Sequence, residues 1–250
     1  MSHHIVAAED LHYTYSDGTR AIQGVSFRIT HGESVAIVGE NGAGKSTLLL
    51  HLNGYLLPTK GALRIGDYHL TRDTLTEVHR TVGMVFQDPD DQLFMPTVFD
   101  DVAFGPINLG FSVAEVEERV DAALETVGML HLRDRPPYKL SAGEKRAVAI
   151  ASVLSMSPNI LVMDEPSSHL DPRTRRKLIE LLNTFEHTKI IATHDLDLAM
   201  DLCERTIVMH AGQIAADGPT AELMQNEALL ERCSLEKPLK LQECPVCSGA

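Results

Sequence analysis

An α/β fold is predicted for this 250-residue chain: a parallel sheet core crossed by helices, with an antiparallel β lobe ahead of it and a helical lobe inserted into it. Three observations predict it. The apolar run Ser34–Val38 leads into a glycine-rich turn and a helix. Three further β-rich runs, 160–163, 189–193 and 205–209, alternate with helical stretches, as parallel strands with crossover helices require. Between about 88 and 140 the apolar spacing becomes helical, and Pro136-Pro137 closes the segment.

Each element follows from its residues. Residues 1–30 alternate apolar and polar about a turn at Ser16-Asp17-Gly18, with 21–29 as the return strand, so an antiparallel meander is expected first. Residues 45–53 form the helix after the glycine-rich turn, and Gly54 stops it. Within the helical lobe, taken as about 88–155, the most amphipathic stretch is 113–127. These elements make one domain over 1–235, and 236–250 reads as a flexible tail.

Composition narrows the function. The formal charge of −13 excludes a broad phosphate-tracking surface, so no nucleic-acid partner is expected. The start carries no basic stretch followed by an apolar one, and the longest charge-free run, 147–163, is broken by Ser155, Ser157, Pro158 and Asn159. A cytosolic protein is expected, and any membrane span must come from other chains. Four cysteines are too few for a disulfide scaffold. Cys244-Pro-Val-Cys247 is half of a tetrahedral zinc site, although a reduced, disordered tail is the simpler reading.

Two motifs carry the chemistry. Gly39-Glu40-Asn41-Gly42-Ala43-Gly44-Lys45-Ser46 matches the Walker A pattern and lies between strand and helix, as its mechanism demands. The glycines, Gly39, Gly42 and Gly44, let backbone N–H groups curl around a β-phosphate; Lys45 reaches the β- and γ-phosphates and Ser46 offers a hydroxyl to Mg²⁺. This places the fold among P-loop NTPases that hold a nucleotide with Mg²⁺, and the loop alone does not separate an ATPase from GTPases or kinases. The apolar run 160–163 delivers Asp164 and Glu165 at its C-terminal end. Asp164 suits Mg²⁺, as a Walker B aspartate does, and Glu165, facing away from it on an extended backbone, suits the general base.

A third motif makes the class specific. Leu140-Ser141-Ala142-Gly143-Glu144, lying between the other two, resembles the signature sequence of ATP-binding cassette (ABC) proteins. Ser141 and Glu144 also form a capping box, so the same residues open a helix and make an anion site. The resemblance spans about 5–225 and implies a RecA-like core. It implies that Asn41 and Thr47 join the phosphate loop, that Gln87 is the Q-loop residue touching Mg²⁺ and water, and that Asp171 closes the D-loop. It implies that His194 is the H-loop histidine and that Tyr15 stacks on adenine. It further implies a second cassette, expected as a homodimer, whose Ser141 and Gly143 complete the first cassette's nucleotide site. Two departures stand out: Ala142 replaces a glycine and Glu144 a glutamine. If position 142 needed φ > 0, the methyl would cost about 1 kcal/mol or more, and slower hydrolysis is expected.

The stretches around 86–94 and 101–110 resemble energy-coupling-factor importers, especially the cobalt and nickel branch. That likeness implies a transmembrane coupling subunit and a substrate-capturing membrane subunit, with Asp88, Asp90 and Asp91 receiving arginines from the former. The ATPase would then sit peripherally on the cytoplasmic face of the cell membrane. A vitamin importer, a soluble ABC ATPase and a metal-binding protein remain open alternatives.

Overall fold

The computed structural model describes residues 4–242. The first strands, β1 (His4–Thr14) and β2 (Arg20–Thr30), pair antiparallel with Val6 opposite Ile29 and Ala8 opposite Phe27. The chain then leaves this sheet for β3 (Ser34–Val38) and α1 (Lys45–Leu52). It returns as β4 (Lys60–Ile65), which pairs with the other edge of β1, and β5 (Tyr68–His69), giving the order β2-β1-β4-β5. The β lobe is therefore a hairpin completed by a later return. The antiparallel pairing expected across the turn at 16–18 is present, and Leu63 and Ile65 of the returning β4 are buried.

After α2 (Leu75–Thr81) comes β6 (Val82–Val85), the edge strand of the second sheet. Three helices follow, α3 (Val98–Asn108), α4 (Val113–Thr126) and α5 (Ala142–Leu154), which pack on one another before the chain re-enters the sheet. Each starts at a hydroxyl cap: Thr97, Ser112 and Ser141, the last two within capping boxes closed by Glu115 and Glu144. These side chains satisfy backbone donors that the first helical turn leaves unpaired.

The remaining elements alternate: β7 (Ile160–Asp164), α6 (Pro172–Asn183), β8 (Thr188–Thr193), α7 (Leu196–Leu202), β9 (Arg205–His210) and β10 (Gln213–Pro219), then the short α8 (Thr220–Leu223) and α9 (Glu227–Arg232). The second sheet runs β10-β9-β3-β8-β7-β6, parallel from β9 to β6, with β10 as an antiparallel edge. Val35, Ile37, Val162, Ile190 and Ile207 of its inner strands are fully buried, because helices and the β lobe cover both faces. Within the expected tail, the Leu239 and Lys240 amides donate to the Asp197 carboxylate at 3.1 Å, and Lys237 pairs with Glu227. These bonds anchor 237–240. Cys244 and Cys247 lie outside the described residues, and among those described no group of three or more His, Cys, Asp or Glu could hold a metal ion. No described helix is long and apolar enough to cross a membrane.

Candidate functional site

Four parallel strands end on one edge of the sheet and deliver the predicted chemistry there, where open α/β sheets bind ligands. β3 leads into the phosphate loop, β6 into Gln87, β7 ends at Asp164, and β8 is followed by His194.

The loop after β3 is shaped by its glycines. Gly42 and Gly44 have φ of 83° and 102°, in the left-handed region that a side chain would strain. Gly39 needs its missing side chain for space, since a Cβ there would lie 2.4 Å from the Met209 carbonyl oxygen. Asn41 sits exposed at the tip. The Lys45 ammonium donates to the carbonyls of Gly39 at 2.8 Å and Glu40 at 3.1 Å, so it bridges the loop from inside. Burial lowers its pKa, while Glu165, Asp164 and Glu40 oppose that shift. On the first turn of α1, the Thr47 hydroxyl lies 3.0 Å from that of Tyr15, whose ring meets Tyr13 edge-on. Tyr15 is thus fixed beside the loop.

The acids after β7 occupy different surroundings. Burial raises the Asp164 pKa, with the Ser46 hydroxyl pulling it down and Glu165 pushing it further up. Its Oδ1 is buried without a hydrogen-bond partner. An orphaned carboxylate oxygen beside a hydroxyl fits a hard divalent cation that prefers oxygen ligands. Glu165 does not continue the strand. Its φ is 45°, so the left-handed backbone, rather than strand alternation, separates its side chain from that of Asp164. Its carboxylate accepts from the Thr193 hydroxyl at 3.0 Å and the His194 amide at 2.9 Å, and the His194 Nδ1 lies 2.8 Å away.

The signature residues follow a different logic. Ser141 caps α5, and Glu144 turns back to accept from the Ser141 amide at 2.7 Å and hydroxyl at 2.8 Å. Those bonds hold the Glu144 carboxyl below its ordinary pKa. Ala142 is the first residue of α5 and is absent from the left-handed residues, so the strain anticipated there does not arise. The Ala142 part of the argument for slower hydrolysis loses its backbone basis, because a helical first turn accepts alanine freely. Gly143 is required for space: a Cβ would meet the Thr174 methyl at 2.9 Å. Asp171 caps α6, accepting from the amides of Arg173 and Thr174.

The predicted residues therefore separate into groups. Ser46, Gln87 and Asp164 line one cleft of about 610 Å³, while Ser141, Gly143 and Asp171 line another of about 870 Å³. His194 opens on a third, with Ser168 and His169. Three residues that sequence reasoning missed connect the loop after β6 to α5. Arg146 donates to the carbonyls of Phe86 at 2.7 Å and Gln87 at 2.5 Å; Gln92 donates to Ala149 and Ser152; Lys145 pairs with Asp90 at 2.5 Å. No local signal marks them, since their partners lie up to 60 residues away in the chain.

Comparisons with known proteins agree with this geometry. The ABC transporter family pattern matches residues 22–168. A Geobacter sulfurreducens protein provisionally named an ABC transporter ATP-binding protein is 67% identical over 247 residues, covering 99% of both chains. The energy-coupling factor transporter ATP-binding protein EcfA of Methanocaldococcus jannaschii is 45% identical over 240 residues, 94% of this chain and 86% of that one. Among solved structures, CbiO1 from Clostridium perfringens, described as part of the ABC transporter complex CbiONQ, superposes with a TM-score of 0.81 at 39% identity. That match covers 92% of this chain and 94% of that one. A dimeric ATP-binding cassette in a post-hydrolysis state with ADP and phosphate superposes at 0.79 with 28% identity, covering 86% and 98%. The phosphate loop, the paired acids after β7 and the capped signature helix thus belong to an ATP-hydrolysing cassette, and the chain is a member of the ABC transporter family.

Proposed function

We propose that two copies of this chain close head to tail around two ATP molecules and that closure drives uptake of a transition-metal ion, cobalt or nickel, through separate membrane subunits. The observation that carries the composite site is the separation of the two clefts: Ser141 and Gly143 do not line the cleft of Ser46 and Asp164 in their own chain. In a head-to-tail pair they would meet the γ-phosphate held by the partner's loop. Ser141 would offer its hydroxyl and the start of α5 its backbone amides. Ser46, Gln87 and Asp164 would hold Mg²⁺, which would supply positive charge to offset that of the phosphates.

The chain's own residues supply the rest. Lys45 exchanges its carbonyl partners for β- and γ-phosphate oxygens, a stronger charge-assisted pairing. Glu165 accepts a proton from the attacking water, and the Thr193 hydroxyl and His194 amide keep its carboxylate aimed. His194, exposed at its ring, donates toward the γ-phosphate. Loss of the bridging phosphate then reopens the pair.

The importer reading is supported by the EcfA relatives and by likeness to CbiO1. The acidic loop carrying Asp88, Asp90 and Asp91 would receive arginines from a transmembrane coupling subunit, with a second membrane subunit capturing the ion. The cassette would then work at the cytoplasmic face of the cell membrane. Purification from native membranes in mild detergent tests this. A small transmembrane scaffold with a cobalt- or nickel-capturing subunit is expected to come with the protein, and recovery of soluble partners alone would contradict transport.

A further inference from the structure

Arg146 is 3% exposed, and the hydrogen bonds of its guanidinium to Phe86 and Gln87 lead out of its own helix. One guanidinium nitrogen donates to the Phe86 carbonyl at 2.7 Å and another to the Gln87 carbonyl at 2.5 Å. Its Nε is buried with no partner. A buried cation normally costs stability unless charge or hydrogen bonds compensate, and here Asp88 and Asp164 supply the nearest negative field. The residue also forms part of the wall between two clefts. It lines both the one around Ser46, Gln87 and Asp164 and the one around Ser141 and Gly143.

The same loop and helix are joined twice more. The Gln92 amide group donates to the Ala149 carbonyl at 2.8 Å and the Ser152 hydroxyl at 2.9 Å while accepting from the Phe86 amide at 3.2 Å. Lys145 reaches Asp90. Residues 86–92 and α5, from Lys145 to Ser152, are therefore tied as one body, with the only buried charge of the set at its centre. Gln87 lines the cleft of Ser46 and Asp164, and Ser141, which caps α5, lines the other cleft.

We propose that Arg146 is a positioning residue that couples the two half-sites a single chain contributes. By gripping the Gln87 carbonyl from the signature helix, it makes the position of Ser141 depend on whether Gln87 has been drawn to a nucleotide. Occupancy of one site then prepares the surface that completes the other. This rests on the head-to-tail pairing proposed above.

The test uses the full chain with Glu165→Gln, with and without Arg146→Met or Arg146→Lys. Mg·ATP binding to the monomer is measured with a fluorescent ATP analogue, and dimer formation against ATP by light scattering. In the Arg146→Met background the ATP concentration for half-dimerisation is expected to rise about fivefold or more, the low end of ordinary coupling between sites, with analogue affinity changing less than about twofold. Arg146→Lys, which keeps the charge but cannot fork between two carbonyls, should fall between them. In the Glu165 wild-type background, the Hill coefficient of hydrolysis should drop toward one with little change in the melting temperature of Arg146→Lys. A Glu165→Gln chain that never dimerises would overturn the pairing itself. A chain that dimerises at the same ATP concentration with and without either Arg146 substitution would overturn the coupling alone. If Arg146→Met fails to fold, the Arg146→Lys midpoint and Hill coefficient decide the matter in the same way.

Discussion

His194 Nδ1 lies 2.8 Å from Glu165 Oε1, and the His194 backbone amide donates to that same oxygen at 2.9 Å. One residue thus holds the acid from both main chain and side chain. Only the main-chain bond survives a substitution at 194.

His194→Ala should therefore leave Glu165 partly oriented through the amide and through Thr193. The His194 side chain is 63% exposed, so its loss removes little packing. Hydrolysis is expected to fall about 10²-fold or more, as for loss of a positioned proton donor, with the melting temperature nearly unchanged. Steady-state ATPase assays and thermal melts check both halves.

Ala142→Gly is expected to give no gain in rate. Ala142 opens α5 with helical geometry, so glycine relieves nothing and lowers helix propensity by up to about 1 kcal/mol. A melt slightly below wild type with equal ATPase activity is the expected result. Faster hydrolysis would mean that the closed state demands a φ at position 142 which this structure does not show.

Asp164→Asn should stabilise the nucleotide-free protein while abolishing Mg²⁺-dependent hydrolysis. Burial raises the Asp164 pKa, so its charged form is disfavoured on folding. For a raised carboxylate, the cost to stability is present above the folded pKa and disappears as pH falls through it toward the unfolded value. The stabilisation by asparagine should accordingly be largest near neutral pH and shrink on acidification below the folded pKa. Denaturant melts of both proteins across pH, without nucleotide, read this directly.

The core strands were legible because burial on both faces writes them as apolar runs, and β3 begins and ends where Ser34 and Val38 predicted. β4 was not, since Lys60, Gly61 and Ala62 are exposed and give no alternation until it pairs with β1. Walker-type loops and caps are encoded within a few residues, so the helix start at Lys45, the strand end at Asp164 and the cap at Ser141 were legible locally. Glu165 was expected to face away from Asp164 on an extended backbone, and its left-handed φ went unread because a left-handed residue after a strand leaves no mark in its identity. Arg146 and Gln92 were invisible because their roles exist only once α5 lies against the loop after β6.

The central claim is that one chain's signature completes another chain's nucleotide site. Glu165→Gln removes the base but keeps the shape of the side chain, so ATP should bind, hydrolysis should fall by about 10²-fold or more, and the closed pair should persist. Light scattering of that variant with Mg·ATP is predicted to show twice the monomer mass, reverting with ADP. A variant that binds ATP and stays monomeric at saturation would contradict the account.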